Sequence, residues 1–263
     1  MDTKLISKVK SSLGCDSIDI NECRQAKHAN TRKAFVDMVI LKDVDSGELF
    51  DKIHEIFEQH SLQRPYHDWY HTCCVVEGTI QGLRYSLSHD LLESDDQQAK
   101  VNSTILAAAF HDIGHTGVKD PDIVNISRSI MIAHRFLIDL GLNQPRDPQN
   151  RLIVPFMLET LQATQYPFTR EPLNHYQAVL RDADLLQILE PTWFDDLYIN
   201  MYEEFLEGSP QLSFEQFCSN ERWFIEKAKF FSDWFHNEKK GIFSSVAIHR
   251  VQKVCEKVEL LKV

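Results

Sequence analysis

Residues 104–111 read TILAAAFH, a run of small and apolar side chains that ends in a histidine. A helix that is apolar on every side belongs in the interior of a protein, with other elements packed around it. Such a helix would carry His111 and the following Asp112 to its end. The segment therefore predicts a central helix that delivers an imidazole and a carboxylate to one place.

Helical spacing recurs through the rest of the chain. Asp45 with Glu48, and Ser213 with Gln216, resemble helix caps that precede apolar stripes. Only 9 of the 263 residues are glycine, and few β-branched runs lie between turn signals. We therefore expect an all-α protein, a single compact multi-helix bundle. Predicted helices cover residues 45–60, 66–87, 104–111, 125–140, 151–166, 174–189, 191–208, 213–235 and 244–261.

The sequence shows no internal repeat and no low-complexity tract. We expect one helical domain over residues 46–263. Residues 1–45 are weakly patterned, and they are predicted to form a short helical or extended lead-in that packs on this domain. The polar stretch over residues 88–100 is predicted to be a surface loop.

The net charge of −11 argues against a nucleic-acid or anionic-membrane partner, since both require a basic face. It permits a small anionic substrate, because a bound metal can dominate the local field. The six cysteines show no CxxC spacing, and no apolar run approaches the roughly 20 residues of a membrane span. We expect reduced thiols in a soluble, cytoplasmic protein. The oligomeric state stays open.

Two histidine pairs have helical spacing. His67 and His71 lie in YHDWYHT, and His111 and His115 lie in HDIGHTG. Residues four apart share one face of a helix, so each pair is predicted to point into a single cavity.

Two acids accompany these histidines. Asp112 lies at a predicted helix terminus, where neighbouring side chains can converge on one ion. Asp184, in RDADLLQ, lies among apolar residues, where a carboxylate is costly unless it is paired or metal-bound. Imidazoles with carboxylates suit Zn, Fe, Mn or Mg. The alternative is that each polar group is a satisfied structural residue of its own helix.

The segments YHDWYHT, HDIGHTGVKD and DADLLQILEP stand in the order found in HD-superfamily metal-dependent phosphohydrolases. More closely, they resemble the catalytic domain of class I cyclic nucleotide phosphodiesterases, which carries YHNxxHA and HDxxHxGxxN boxes and an Asp in an ADLS-like segment. The resemblance extends through YEEFLEG and ERWFIEKAKFFSDW and covers about residues 60–236. Many hydrolases share the HD doublet, whereas the YHxxxH box is the more specific part.

The resemblance implies a helical HD-domain bundle that holds two divalent metal ions, Zn in the first site and Mg or Mn in the second. Asp112 would bridge the two ions, and His115 would lie beside the water shell of the second. His67 would be the general acid that protonates the leaving oxygen. The implied ligands of the first metal are His71, His111, Asp112 and Asp184.

This chain departs from the family pattern at several positions. Asp68 and Asp120 stand where the family has asparagine. Ile132 replaces the glutamate that supports the water of the second metal, which leaves the occupancy of that site open. His134 remains as a partner in the second-metal shell, or else as a solvent-facing histidine.

The implied substrate-binding residues are Tyr66, Glu221 and Phe224. Glu221 and Phe224 fall on the glutamine that hydrogen-bonds the base and the phenylalanine that stacks on it. An ionised carboxylate only accepts hydrogen bonds, so Glu221 is expected to favour guanine, which presents two adjacent donors. The alternatives are an exposed helix glutamate and a core phenylalanine.

The leading hypothesis is an enzyme, a metal-dependent phosphodiesterase that hydrolyses a 3′,5′-cyclic nucleotide by attack of a metal-bound hydroxide. Its partner would be a small-molecule nucleotide. A nucleotidase of the HD type would instead release phosphate. An HD-type di-iron oxygenase would use His115 and His134 as extra ligands, and Ile132 makes a non-catalytic nucleotide sensor conceivable.

Overall fold

Regular structure in the described residues, 3–93, 95–142, 148–168 and 170–261 of a computed structural model, is helical. A single bridge between Leu41 and Val44 is the only β-type pairing in these ranges. The all-α prediction is therefore confirmed. The helices are α1 Thr3–Ser12, α2 Ile20–Met38, α3 Ser46–His60, α4 Trp69–Ser88, α5 Gln97–Phe110, α6 Asp122–Asp139, α7 Pro148–Gln162, α8 His175–Asp184, α9 Met201–Gly208, α10 Phe214–Lys227, α11 Lys240–Ile242 and α12 Ile248–Leu261.

Side-chain caps explain where several helices begin. The Asp45 carboxylate accepts a hydrogen bond from the backbone N–H of Glu48 at 2.8 Å and starts α3. Ser213 and Gln216 form a reciprocal capping box at the start of α10, as predicted. Such caps satisfy backbone donors that have no partner within the helix.

Several segments have other bounds or more structure than the sequence predicts. The lead-in contains the 19-residue helix α2, capped by Asp19. The predicted loop over residues 88–100 ends early, since α5 begins at Gln97. The helix predicted over residues 174–189 ends at Asp184, and a short 3₁₀ turn covers Gln187–Leu189.

The packing of α5 confirms the central helix. Its residues from Ile105 to Phe110 are fully buried in an apolar cluster formed mainly by α2–α8. A second apolar cluster joins α1, α9, α10 and α12 with the aromatic segment around Phe194 and Tyr198. Helices that contribute to each of the two apolar clusters also contribute residues to the lining of the candidate site.

Across the described ranges, no helix combines the length and apolar character needed to cross a lipid bilayer.

Candidate metal centre and its cavity

Two imidazoles and two carboxylates from three helical segments converge at one point. His71 lies in the first turn of α4, His111 and Asp112 directly follow α5, and Asp184 ends α8. The Nε2 atoms of His71 and His111 are 3.2 Å apart. Asp112 Oδ2 lies 3.2 Å from His71 Nε2 and 2.9 Å from His111 Nε2. Asp184 Oδ1 lies 3.3 Å and 3.5 Å from the same two atoms.

Close packing of α4 on α8 brings His71 to Asp184. A Cβ atom added at Gly78 would lie 3.1 Å from the Ala183 side chain, and one added at Gly82 would lie 2.5 Å from Val179. Glycine at these two positions therefore allows the helices to approach. Their separation sets the distance between the His71 imidazole and the Asp184 carboxylate.

The two buried imidazoles have defined orientations. His71 Nδ1–H donates to Gln187 Oε1, and His111 Nδ1–H donates to the carbonyl oxygen of Ala108 at 2.8 Å. Because both Nδ1 atoms are used as donors, both Nε2 atoms face the carboxylates. This is the arrangement that holds histidine ligands in metal sites. The donor set therefore fits a metal ion.

The electrostatics of this group are those of mutually compensating buried charges. Burial lowers the pKa of His71, but its hydrogen bonds to the Asp112 and Asp184 carboxylates outweigh this effect and raise the pKa to about 10. The same carboxylates raise the pKa of His111. Burial opposes ionisation of Asp112, yet His111 and His71 hold the pKa of that carboxyl well below its ordinary value. A cation bound by neutral imidazoles would compensate the two carboxylates in the same way.

A second group of potential ligands lies in the same cavity. His67, His115 and Glu204 place one ligand atom each within 4.8 Å of one another. The His67 and His115 rings stack with centroids 3.7 Å apart. Like the first group, this cluster of histidine and acid side chains could hold a metal ion.

Glu204, on α9, was missed by the sequence reasoning. It is 1% exposed, and its Oε2 lies 2.7 Å from His67 Nδ1. Its Oε1 accepts the backbone N–H groups of Tyr66 at 2.7 Å and His67 at 3.0 Å. Burial alone would raise its pKa, but the hydrogen bonds from His67 and the backbone lower it. The only sequence signal was the segment YEEFLEG, through the family resemblance.

The helical-pair explanation of the histidines was wrong, although all four line the cavity. Asp68 caps α4, so His67 precedes the helix that carries His71. The helix α5 ends at Phe110, so His115 lies beyond it. His115 Nδ1 accepts the N–H of Gly117 at 3.0 Å, and its Nε2 lies 3.1 Å from the Asn125 amide nitrogen.

His134 does not reach the site, which corrects its assignment to the second-metal shell. It is exposed on α6 and is not among the described residues that line the cavity. Ile132 lies close to Gly114, since a Cβ added there would be 3.1 Å from its Cδ1. This apolar contact occupies the place where the family pattern has a glutamate.

The two aspartates that replace asparagines have structural roles. Asp68 Oδ1 accepts the His71 N–H at 2.9 Å, and its other oxygen pairs with Arg24 of α2. Asp120 accepts from the Thr116 hydroxyl at 3.0 Å and pairs with Arg128 at 2.8 Å. Both acids therefore use the charge that an asparagine lacks.

A cavity of about 700 Å³ adjoins these groups, and Tyr66, Glu221 and Phe224 are among the residues that line it. Glu221 is 8% exposed, and burial raises the pKa of its carboxyl to about 8. It is therefore protonated at neutral pH and can donate as well as accept. This raised pKa differs from the sequence-based expectation of an ionised, acceptor-only side chain. Phe224 packs edge to face on Tyr166, with ring centroids 5.6 Å apart.

A comparison with models of known protein families found no match. A search of curated proteins likewise found no similar sequence. The structure itself shows an all-helical fold in the described residues, with buried His and Asp groups that could bind metal.

Proposed function

We propose that this protein is a metal-dependent phosphohydrolase that cleaves a 3′,5′-cyclic nucleotide. The observation that carries the proposal is the convergence of His71, His111, Asp112 and Asp184 at one end of a nucleotide-sized cavity, beside the His67–Glu204 pair. The motif resemblance supports the same reaction class.

His71, His111, Asp112 and Asp184 would hold the first divalent ion, and zinc suits this donor set. When bound, one or two such ions acidify a water molecule and neutralise phosphoryl oxygens. The protein contributes the fixed geometry, because Gln187 and the Ala108 carbonyl keep each imidazole turned to the centre.

His67 would transfer the proton to the leaving oxygen. Glu204 accepts its Nδ1–H, which fixes the tautomer and leaves Nε2 to exchange a proton with substrate. The backbone N–H groups of Tyr66 and His67 bind the same carboxylate, so ring and carboxylate stay aligned. A positioned acid of this kind contributes roughly 10²–10⁴-fold to rate.

The apolar side of the cavity would hold the base. Phe224 offers a ring face, and Glu221 offers a hydrogen-bonding edge within reach of the same space. A protonated carboxyl presents one donor and one acceptor, which adenine can pair with. The ionised form accepts only, which favours the two donors of guanine.

The test combines elemental analysis with a hydrolysis panel of cyclic and linear nucleotides, run on wild type and Asp112→Asn. We expect bound divalent metal and a linear monophosphate product in wild type, with both lost in the variant. Asp139→Asn, which changes an exposed acid of α6, is the matched control.

Other products would reject the proposal in favour of a named alternative. A nucleoside with free phosphate would identify a nucleotidase. Bound iron with oxygen uptake and no phosphoesterase activity would identify an oxygenase. Nucleotide binding without turnover in saturating Zn, Mg or Mn would identify a sensor.

A further inference from the structure

A second cavity, of about 520 Å³, adjoins the candidate active site and is predominantly cationic. We call it the cationic cavity. It contrasts with the chain as a whole, whose net charge is −11. The proposed hydrolysis uses none of its charged residues. Its lining includes one carboxylate, Glu171, and four cations, Arg170, Arg181, Lys227 and Lys229.

Arg181, on α8, is the buried cation of this cavity and is 2% exposed. Its guanidinium carbon lies 3.6 Å from the Phe168 ring centroid and 4.9 Å from that of Phe231. One terminal nitrogen donates to the carbonyl oxygen of Arg170 at 2.7 Å. The Nε atom is buried and has no hydrogen-bond partner. An unsatisfied buried donor is costly, so this guanidinium keeps unused hydrogen-bonding capacity beside the cavity that it lines.

Asp182, Glu171 and Asp184 offset part of the Arg181 charge through space, but none of them pairs directly with it. Across the described ranges, none of the four cations lies within 4.0 Å of a carboxylate. The acid that follows Arg181, Asp182, is instead hydrogen-bonded to the backbone of Phe231 and Ser232. A planar guanidinium with unpaired N–H groups matches the oxygens of phosphate, and nearby lysines add point charge.

The wall next to these cations is aromatic. Trp223 is 62% exposed and Tyr166 is 47% exposed, although both are large rings. Exposed rings beside cations suit a ligand that combines an aromatic ring with negative charge. The two rings line both cavities, together with Phe168, Leu185 and Phe224.

We propose that the cationic cavity binds a nucleotide, with its phosphate groups on Arg181, Lys227 and Lys229 and its ring against Trp223. The phosphates belong either to a separate nucleotide or to the far end of a substrate that spans both cavities. Binding in this cavity needs no metal, and only the second of these two cases rests on the proposed hydrolysis.

The test is calorimetric titration of the full chain with ADP, and separately with inorganic pyrophosphate, in excess EDTA. We expect one site per chain, with ADP binding more tightly than pyrophosphate and both weakened by salt. Loss of charged hydrogen bonds in Lys227→Gln/Lys229→Gln should weaken ADP binding about tenfold or more. Both lysines are exposed, so this variant should fold. Lys33→Gln/Lys52→Gln, on α2 and α3, is the control of equal charge change.

Two outcomes would overturn the proposal: no binding of either probe, or equal binding by the lysine variant and its control. Equal affinity for ADP and pyrophosphate would overturn the assignment to a nucleotide. Competition between ADP and cyclic AMP in EDTA distinguishes a separate nucleotide from a substrate that spans both cavities. Displacement of ADP indicates one substrate across both cavities, and simultaneous binding indicates a separate nucleotide.

Discussion

The Nε2 atoms of His71 and His111 lie 3.2 Å apart, although 40 residues separate them in the chain. Each ring reaches this position because its Nδ1–H donates away from the centre, to Gln187 in one case and to Ala108 in the other. Two Nε2 atoms and two carboxylates therefore face one point, where a bound cation could replace the protons that the imidazoles hold. The residues that orient the rings are therefore as testable as the ligands themselves.

Replacing Gln187 by leucine should weaken metal binding without removing a ligand. The side chain is 4% exposed and accepts the His71 Nδ1–H, so its loss leaves that donor unpaired and the ring free to turn. Changes at such supporting partners typically cost 10–100-fold in metal affinity. Competition with a metal-binding dye measures the change. Gln81→Leu, at an exposed position of α4, is the control. Unchanged affinity in Gln187→Leu would show that its hydrogen bond does not position the ligand.

His67→Ala should slow hydrolysis of cyclic nucleotides by about 10²–10⁴-fold, the range for loss of a general acid. The same variant should retain most activity on bis(p-nitrophenyl) phosphate, because p-nitrophenolate leaves without protonation. Glu204→Gln should show a smaller loss with the same substrate dependence, since it removes the carboxylate that fixes the His67 tautomer. Equal losses on both substrates would instead place His67 in metal or substrate binding.

Base preference should change with pH through Glu221, whose pKa is raised by burial to about 8. As the carboxyl ionises, the ratio of kcat/KM for cyclic GMP to that for cyclic AMP should rise by about tenfold. Any other titration that changes kcat/KM equally for both substrates cancels in this ratio. Steady-state kinetics between pH 6 and pH 9 (roughly two units below and one above the shifted pKa) measure it. Glu221→Gln should show a constant ratio, and a parallel rise in that variant would exclude Glu221 as the cause.

The same carboxyl should make stability depend on pH. Its pKa rises from 4.5 in the unfolded chain to about 8 in the folded chain, so the folded state binds more protons between these values. Stability from this group is therefore fully present below pH 4.5 and is lost as the pH rises through 8. The advantage of Glu221→Gln in free energy of unfolding should grow over this window to the order of a few kcal/mol. Denaturant titrations of the metal-free protein measure it, and a pH-independent difference would contradict the prediction.

Arg24→Met should destabilise the fold by about 2 kcal/mol, because it leaves the buried Asp196 and the helix cap Asp68 without their cation. The figure is below that for a fully buried pair, since the arginine side chain is 31% exposed. Arg32→Met breaks an exposed pair with Asp51 and should cost less than about 1 kcal/mol. Chemical denaturation compares the two variants. Equal costs would show that Arg24 acts only as a surface charge.

Much of the secondary structure could be predicted because it depends on local chemistry. The apolar run before His111 predicts a buried helix whatever surrounds it, and Ser213 with Gln216 caps α10 through contacts three residues apart. His71 was singled out by its spacing from His67, and Asp184 by its apolar neighbours, whereas their roles as ligands came from the family resemblance. The convergence that makes them a group depends on how α4 packs against α8, through Gly78 and Gly82.

The second half of the site could not be predicted in this way. Glu204 meets His67 across 137 residues, and nothing in its own segment distinguishes it from the neighbouring acid Glu203. His134 had the sequence features of a ligand, but the face of α6 on which it lies is exposed. Glu221 is acceptor-only as an isolated residue, and burial alone changes its protonation at neutral pH.

The sequence by itself determined that the chain is helical, that α5 is central, and that His111 and Asp112 lie where this helix ends. The tertiary structure alone decided which imidazoles and acids share a cavity, which way each ring faces and which carboxyl keeps its proton. The reason is physical: helix periodicity and capping act over three or four residues, whereas burial and side-chain orientation depend on partners more than one hundred residues away.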